Sequence, residues 1–104
     1  METAEGAFDV STRVFERAAE LFSLMSTPAR LRILDALMHG ELNVSELLAR
    51  IGGAQPSMSQ HLGQLYRAGL LARRRDGAQV YYRVDAESVP LLCGAVRSLL
   101  PGHP

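Results

Sequence analysis

One cysteine in 104 residues, no lysine, no net charge and no long apolar run define this chain by what it has little of. A lone thiol, Cys93, excludes an intrachain disulfide framework and suits a reducing cytoplasm. No apolar stretch approaches the roughly 20 residues of a membrane span. The acidic start Met1-Glu2-Thr3-Ala4-Glu5 is unlike a signal peptide, so a cytoplasmic protein without membrane contact is expected. Paired carboxylates, a nucleophile with its base and a phosphate loop are all missing, as are repeats and low-complexity segments. Enzyme chemistry therefore finds no support; no cofactor is expected, and His39 and His103 have no partners at metal-ligand spacing. The absence of lysine fits a G·C-rich coding bias as well as phosphate recognition and carries little weight.

Zero net charge argues against a nucleic-acid partner until its distribution is read. Residues 1–50 hold five Arg against eight acids (−3), residues 51–84 five Arg against one acid (+4), and residues 85–104 one Arg against two (−1). The positive charge surrounds a single stretch, Ala54 to Leu71. There Met58, Leu62 and Leu65 recur at helical spacing and form one apolar stripe. A turn of 100° per residue places Ser57, Gln60, Gly63, Gln64 and Arg67 on or near the opposite face, with Ser59 and His61 on its flanks and Gln55 in the first turn. That face has no carboxylate. Short and planar hydrogen-bonding groups can read base edges and phosphates, which a negative charge would repel.

The flanking chain reads as a scaffold. Residues 1–9 are small and polar and are expected to fray. From Val10 a helix is expected, with Val14, Ala18, Leu21, Phe22 and Met25 on one apolar face. Thr27-Pro28 is an N-cap and N1 pair for a second helix carrying Leu31, Ile33, Leu34, Leu37 and Met38, which ends at His39-Gly40. Asn43-Val-Ser-Glu46 has the pattern of a capping box and opens a short third helix, closed by Gly52-Gly53. This helix, the turn and the polar-faced helix make a helix-turn-helix. Leu70 to Arg75, Asp76-Gly77 and Gln79 to Val84 predict a basic β-hairpin, a wing, with Asp-Gly as the turn signal. Arg73, Arg74 and Arg75 alternate across its first strand, so at most two face one way. A last helix follows from Asp85, with Val89, Leu92, Cys93, Val96, Leu99 and Leu100 at helical spacing, until the tail at 101–104.

Met25-Ser-Thr-Pro-Ala-Arg-Leu-Arg-Ile-Leu34, Glu41 to Leu48, Ser57-Met-Ser-Gln-His-Leu62, Ala68-Gly-Leu-Leu71 and the hairpin ending Val80-Tyr-Tyr-Arg-Val84 together resemble the ArsR/SmtB family over residues 14–100. The resemblance implies a mainly α winged helix-turn-helix with a small β-hairpin, dimerising through its first and last helices. It implies a homodimeric repressor that leaves its DNA operator when a signal binds. The expected dimer surface comprises Phe15, Ala18, Phe22, Val89, Leu92, Cys93, Val96 and Leu99, and the inducer is unknown. The DNA-binding set is Gln55, Ser57, Ser59, Gln60, His61, Gln64, Arg67, Arg73, Arg74 and Arg75.

The departures from the family concern its sensors. Asn43 and Ser45 stand where the family's C-x-C thiolates would be. At its other metal site Asp85 is near the expected place, but Ser88 replaces a His, and the distal positions fall on Leu99 and the tail. The pattern is closest to a sulfide- and redox-responsive branch, yet Asp35 and Leu100 occupy the two cysteine positions. Cys93 lies on an apolar stripe, where a free cysteine commonly packs as a small hydrophobe. The competing readings are a thiol sensor acting through Cys93 across the dimer seam, and a winged helix serving only as a protein-interaction module.

Overall fold

Helix ends here are set by local chemistry that the structure, a computed structural model, makes explicit. It describes residues 2–85 together with 87, 89, 90, 93, 94 and 98, and side chains from Thr12 onward. The first helix, α1, spans Glu2–Met25. It begins earlier than the expected start at Val10. The cost of about 1 kcal/mol for Gly6 does not stop it. Helix α2, Pro28–Leu37, follows after Thr27, whose hydroxyl accepts the Arg30 N–H at 3.2 Å. Helix α3, Val44–Ile51, starts with the anticipated capping box: Asn43 Oδ1 accepts from Glu46 N at 2.8 Å, and Asn43 N donates to Glu46 Oε1 at 2.9 Å.

Between α3 and the next helix, Gly52 (φ +87°) and Gly53 (φ +93°) turn the chain. Both angles lie where a side chain is strained, so this turn requires its glycine pair. Helix α4, Gln55–Arg67, ends in a Schellman cap: Leu70 N donates to Leu65 O, and Gly69 N to Tyr66 O, both at 3.0 Å. Leu65 and Leu70 are both buried at this cap.

The sheet has three strands, one more than the hairpin expected. β1 is only Leu42–Asn43, β2 is Leu71–Asp76 and β3 is Gln79–Val84, in the antiparallel order β1-β3-β2. Two residues carry no alternation to read, and β1 exists because Leu42 and Asn43 pair with Tyr82 and Tyr81. The wing turn is also displaced by one residue from the Asp-Gly signal. Asp76 pairs with Gln79, so the two-residue loop is Gly77-Ala78, with Gly77 at φ +64° and no positive φ at Ala78. A glycine at the first loop position is the signature of a type II′ turn.

One core joins these elements. Ile33 and Leu34 of α2, Leu47 of α3, Leu62 and Leu65 of α4, Leu71 of β2 and Val89 are fully buried, with Met25, Leu37, Leu42, Met58, Leu70 and Tyr82 beside them. The predicted Met58, Leu62, Leu65 stripe is thus the inner face of α4. Val89 corrects the expected dimer surface. Asp85 N donates to Leu70 O at 3.0 Å, which brings the following turn back onto the core and leaves Val89 no area for a second chain. Val89, Pro90, Cys93, Gly94 and Ser98 are helical, and Ser98 Oγ donates to Gly94 O at 3.0 Å. Leu92, Val96, Leu99 and the tail lie outside the described residues.

Helix α1 divides its apolar residues rather than presenting one face. Leu21, Leu24 and Met25 pack on the core. Val14, Phe15 and Phe22 are 59%, 72% and 57% exposed, and Ala18 is half-buried.

Candidate nucleic-acid interface

The inner stripe of α4 rests on the core, so its other side chains take up fixed bearings. Gln55, Ser57, Ser59, Gln60 and Arg67 are exposed, whereas His61 and Gln64 are half-buried. The difference has a cause in α2. Arg30 Nε donates to His61 Nδ1 at 3.1 Å, its Nη2 donates to Gln64 Oε1, and its Nη1 donates to Leu24 O at 2.8 Å. His61 and Gln64 are three residues apart on one side of α4, and the planar guanidinium reaches both. With Nδ1 accepting, the His61 ring proton lies on Nε2. Two residues of the expected DNA-binding set are therefore also internal contacts.

Arg30 was not among the sequence candidates, and a signal for it existed. It stands three, four and seven residues before Ile33, Leu34 and Leu37, on the buried side of α2, where a charge needs a partner.

At its N-terminus α4 has no side-chain cap and no acid in its first turn. Its first backbone N–H groups are thus left for an external acceptor, and the helix dipole there favours an anion.

The wing arginines are unequal. Arg73 and Arg74 lie opposite Tyr82 and Tyr81, and Arg75 opposite Val80. The Arg73 guanidinium stacks 3.9 Å from the Tyr66 ring centre, and a hydrogen bond with Tyr82 raises its pKa above the usual arginine value. Arg74 Nε donates to both oxygens of Glu41 at 2.9 and 3.1 Å, its Nη2 to Oε1, and the guanidinium lies 4.7 Å from the Tyr81 ring centre. The Arg74 hydrogen bond holds the Glu41 carboxyl below the usual carboxylate range. Arg75 is exposed and has no ion pair or ring contact among the described residues.

Comparison with known proteins agrees with this geometry. A helix-turn-helix domain model matches residues 24–74. The HTH-type transcriptional regulator Rv0081 of Mycobacterium tuberculosis is 38% identical over 91 residues, covering 86% of this chain and 80% of that protein. The homodimeric winged helix-turn-helix domain of Mb0332 from Mycobacterium bovis, described as a possible ArsR-family regulator, superposes with a TM-score of 0.75 at 30% identity, over 85% of this chain and 82% of that one. This chain belongs to the ArsR family of winged helix-turn-helix transcriptional regulators. The transcriptional repressor BigR from Xylella fastidiosa has the same fold, with a TM-score of 0.79 and 34% identity over 90% of this chain and 95% of that one.

Within this ArsR-family chain the sensor positions have other uses. Asn43, at a family thiolate position, spends its side chain capping α3. Among the described residues no three His, Cys, Asp or Glu side chains gather into a metal-holding group. Cys93 is half-buried against the core, and this burial raises its thiol pKa, which lowers the thiolate fraction. No helix among the described residues is long and apolar enough to cross a membrane.

Proposed function

We propose that two copies of this chain bind a palindromic operator in the cytoplasm as a homodimeric repressor, each placing α4 in a major groove. The observation that carries this reading is the exposed row Gln55, Ser57, Ser59 and Gln60 at an uncapped, acid-free helix start. Gln60 suits the N6/N7 edge of adenine, and the two serines suit bases or phosphate. Arg67 and Arg75 supply phosphate contacts, and His61 can add a donor through Nε2. Half-sites one helical turn, about 34 Å, apart match a two-fold dimer.

The partner copy is supported by α1. Phe15 and Phe22 stand mostly in water, and burying such side chains is worth about 1.5–3 kcal/mol each. With Val14 and Ala18 they form the surface proposed for a second copy. Of the last helix, Cys93 is half-buried against the chain's own core, which supports a packing role over a thiol sensor. Release from DNA then depends on a signal other than thiolate chemistry at positions 43 and 45.

The test is selection of a bound sequence from random DNA, followed by binding of Gln60→Ala to that operator and to unrelated DNA. Loss of one bidentate base contact costs about 1–3 kcal/mol, roughly 5- to 150-fold, on the operator alone. Unchanged discrimination would move the reading face elsewhere. A reporter gene fused to the operator distinguishes repression from activation.

A further inference from the structure

Arginine hydrogen bonds tie the helix that reads to the helix proposed to dimerise. An open groove lined by Glu16, Ala19, Glu20, Ser23, Leu24 and Arg30 runs along α1, so close apolar packing does not fill this side. Arg30 bridges it. Its Nη1 holds the Leu24 carbonyl in the last turn of α1, while Nε and Nη2 hold His61 and Gln64 at the middle of α4. A second tie lies at the end of α4, where Arg17 Nη2 donates to Ala68 O at 3.0 Å.

We propose that Arg30 is a positioning residue that fixes α4 relative to α1 and so sets the spacing at which the dimer accepts two DNA half-sites. The inference rests on the DNA-binding reading above. The physical reason is leverage. In a two-fold dimer built on α1, any tilt of α4 relative to α1 is doubled between the two reading helices. One inserted base pair shifts a half-site by about 3.4 Å and rotates it by about 35°. A dimer with its reading helices held at fixed bearings cannot follow that change. A rigid fork with three simultaneous acceptors on two helices resists tilt better than one flexible ammonium.

Two measurements test this. The first needs no DNA. Imidazole ¹⁵N shifts of free wild-type protein should show His61 protonated at Nε2 and not at Nδ1, and Arg30→Gln should show a mixture of tautomers. A mixture in the wild type overturns the Arg30 bridge. The second uses the selected operator and versions with one central base pair added or removed. Wild type should lose on the order of 100-fold in affinity for the altered spacings, as much of its specific margin is lost when one half-site is out of register. Arg30→Gln should bind the operator more weakly but lose less than about 10-fold on changing the spacing. Arg30→Lys, which keeps charge and can hold only one acceptor well, should fall between them and serves if Arg30→Gln does not fold. A folded Arg30 variant with wild-type spacing preference overturns the proposal while leaving the DNA-binding reading intact. A wild type that selects no sequence overturns both.

Discussion

The outward face of α4 and the wing both looked like DNA contacts, and they differ in how their polar groups are occupied. Gln55, Ser57, Ser59 and Gln60 have no hydrogen bond partner for their side chains among the described residues. In the wing, Arg73 stacks on Tyr66 and Arg74 is paired with Glu41, which leaves Arg75 as the member of the triplet without an ion pair or ring contact among the described residues. A charge already matched inside the chain releases fewer counterions on reaching DNA. A run of arginines therefore overstates the phosphate contacts a wing can make. Polarity without charge on α4 is the kind that suits base reading, whereas the charges on β2 with partners fix the wing against Tyr66 of α4 and Glu41 before β1.

The largest effect expected comes from removing what α4 stands on. Leu62→Ala empties a fully buried site and should cost about 2–5 kcal/mol of stability, read as a lowered denaturant midpoint and loss of all DNA binding at moderate temperature. That is a large part of the 5–15 kcal/mol typical of a domain. Next is the contrast within the wing. Arg75→Ala should weaken operator and unrelated DNA alike and reduce the slope of log affinity against log salt by about 0.9, whereas Arg74→Ala should change the slope less. Equal slopes for the two variants would erase the distinction between them.

Smaller still is the effect of Glu41→Gln, which releases Arg74. Non-specific affinity should rise and the salt slope should steepen by up to about 0.9, with the melting temperature little changed because exposed pairs contribute little. Acid should act similarly. The Glu41 pKa is lower in the folded chain than the ordinary 4.5. The pair's stabilisation is therefore full above that value and is lost as pH falls through the lower folded value. A proton titration of Glu41 by NMR should show its midpoint below 4.5 in wild type and closer to it in Arg74→Ala.

What was legible in the sequence was local. The Met58, Leu62, Leu65 stripe, the Asn43–Glu46 capping box and the Thr27-Pro28 helix start each depend on residues a few positions apart. Interactions across the fold left weaker traces. Arg30 meets His61 and Gln64 across 31 and 34 positions, and Arg74 meets Glu41 across 33, so sequence periodicity could place each residue on a face but could not name its partner. β1 is too short for alternation, and α1 has apolar residues on two sides because one side serves the core and the other does not. The wing turn moved by one residue because Gly77 suits the first place of a II′ loop as well as the second place of a type I′ loop.

One residue, Leu70, has its N–H on Leu65 and its carbonyl on Asp85. The end of α4, the start of the wing and the exit from the wing are thereby clasped at a single residue. The hairpin between them is a closed cassette, whose tip at Gly77-Ala78 can lengthen or shorten without redirecting the chain that leaves it. Insertions or deletions at the tip change how far the wing projects while the exit at Asp85 stays where it is.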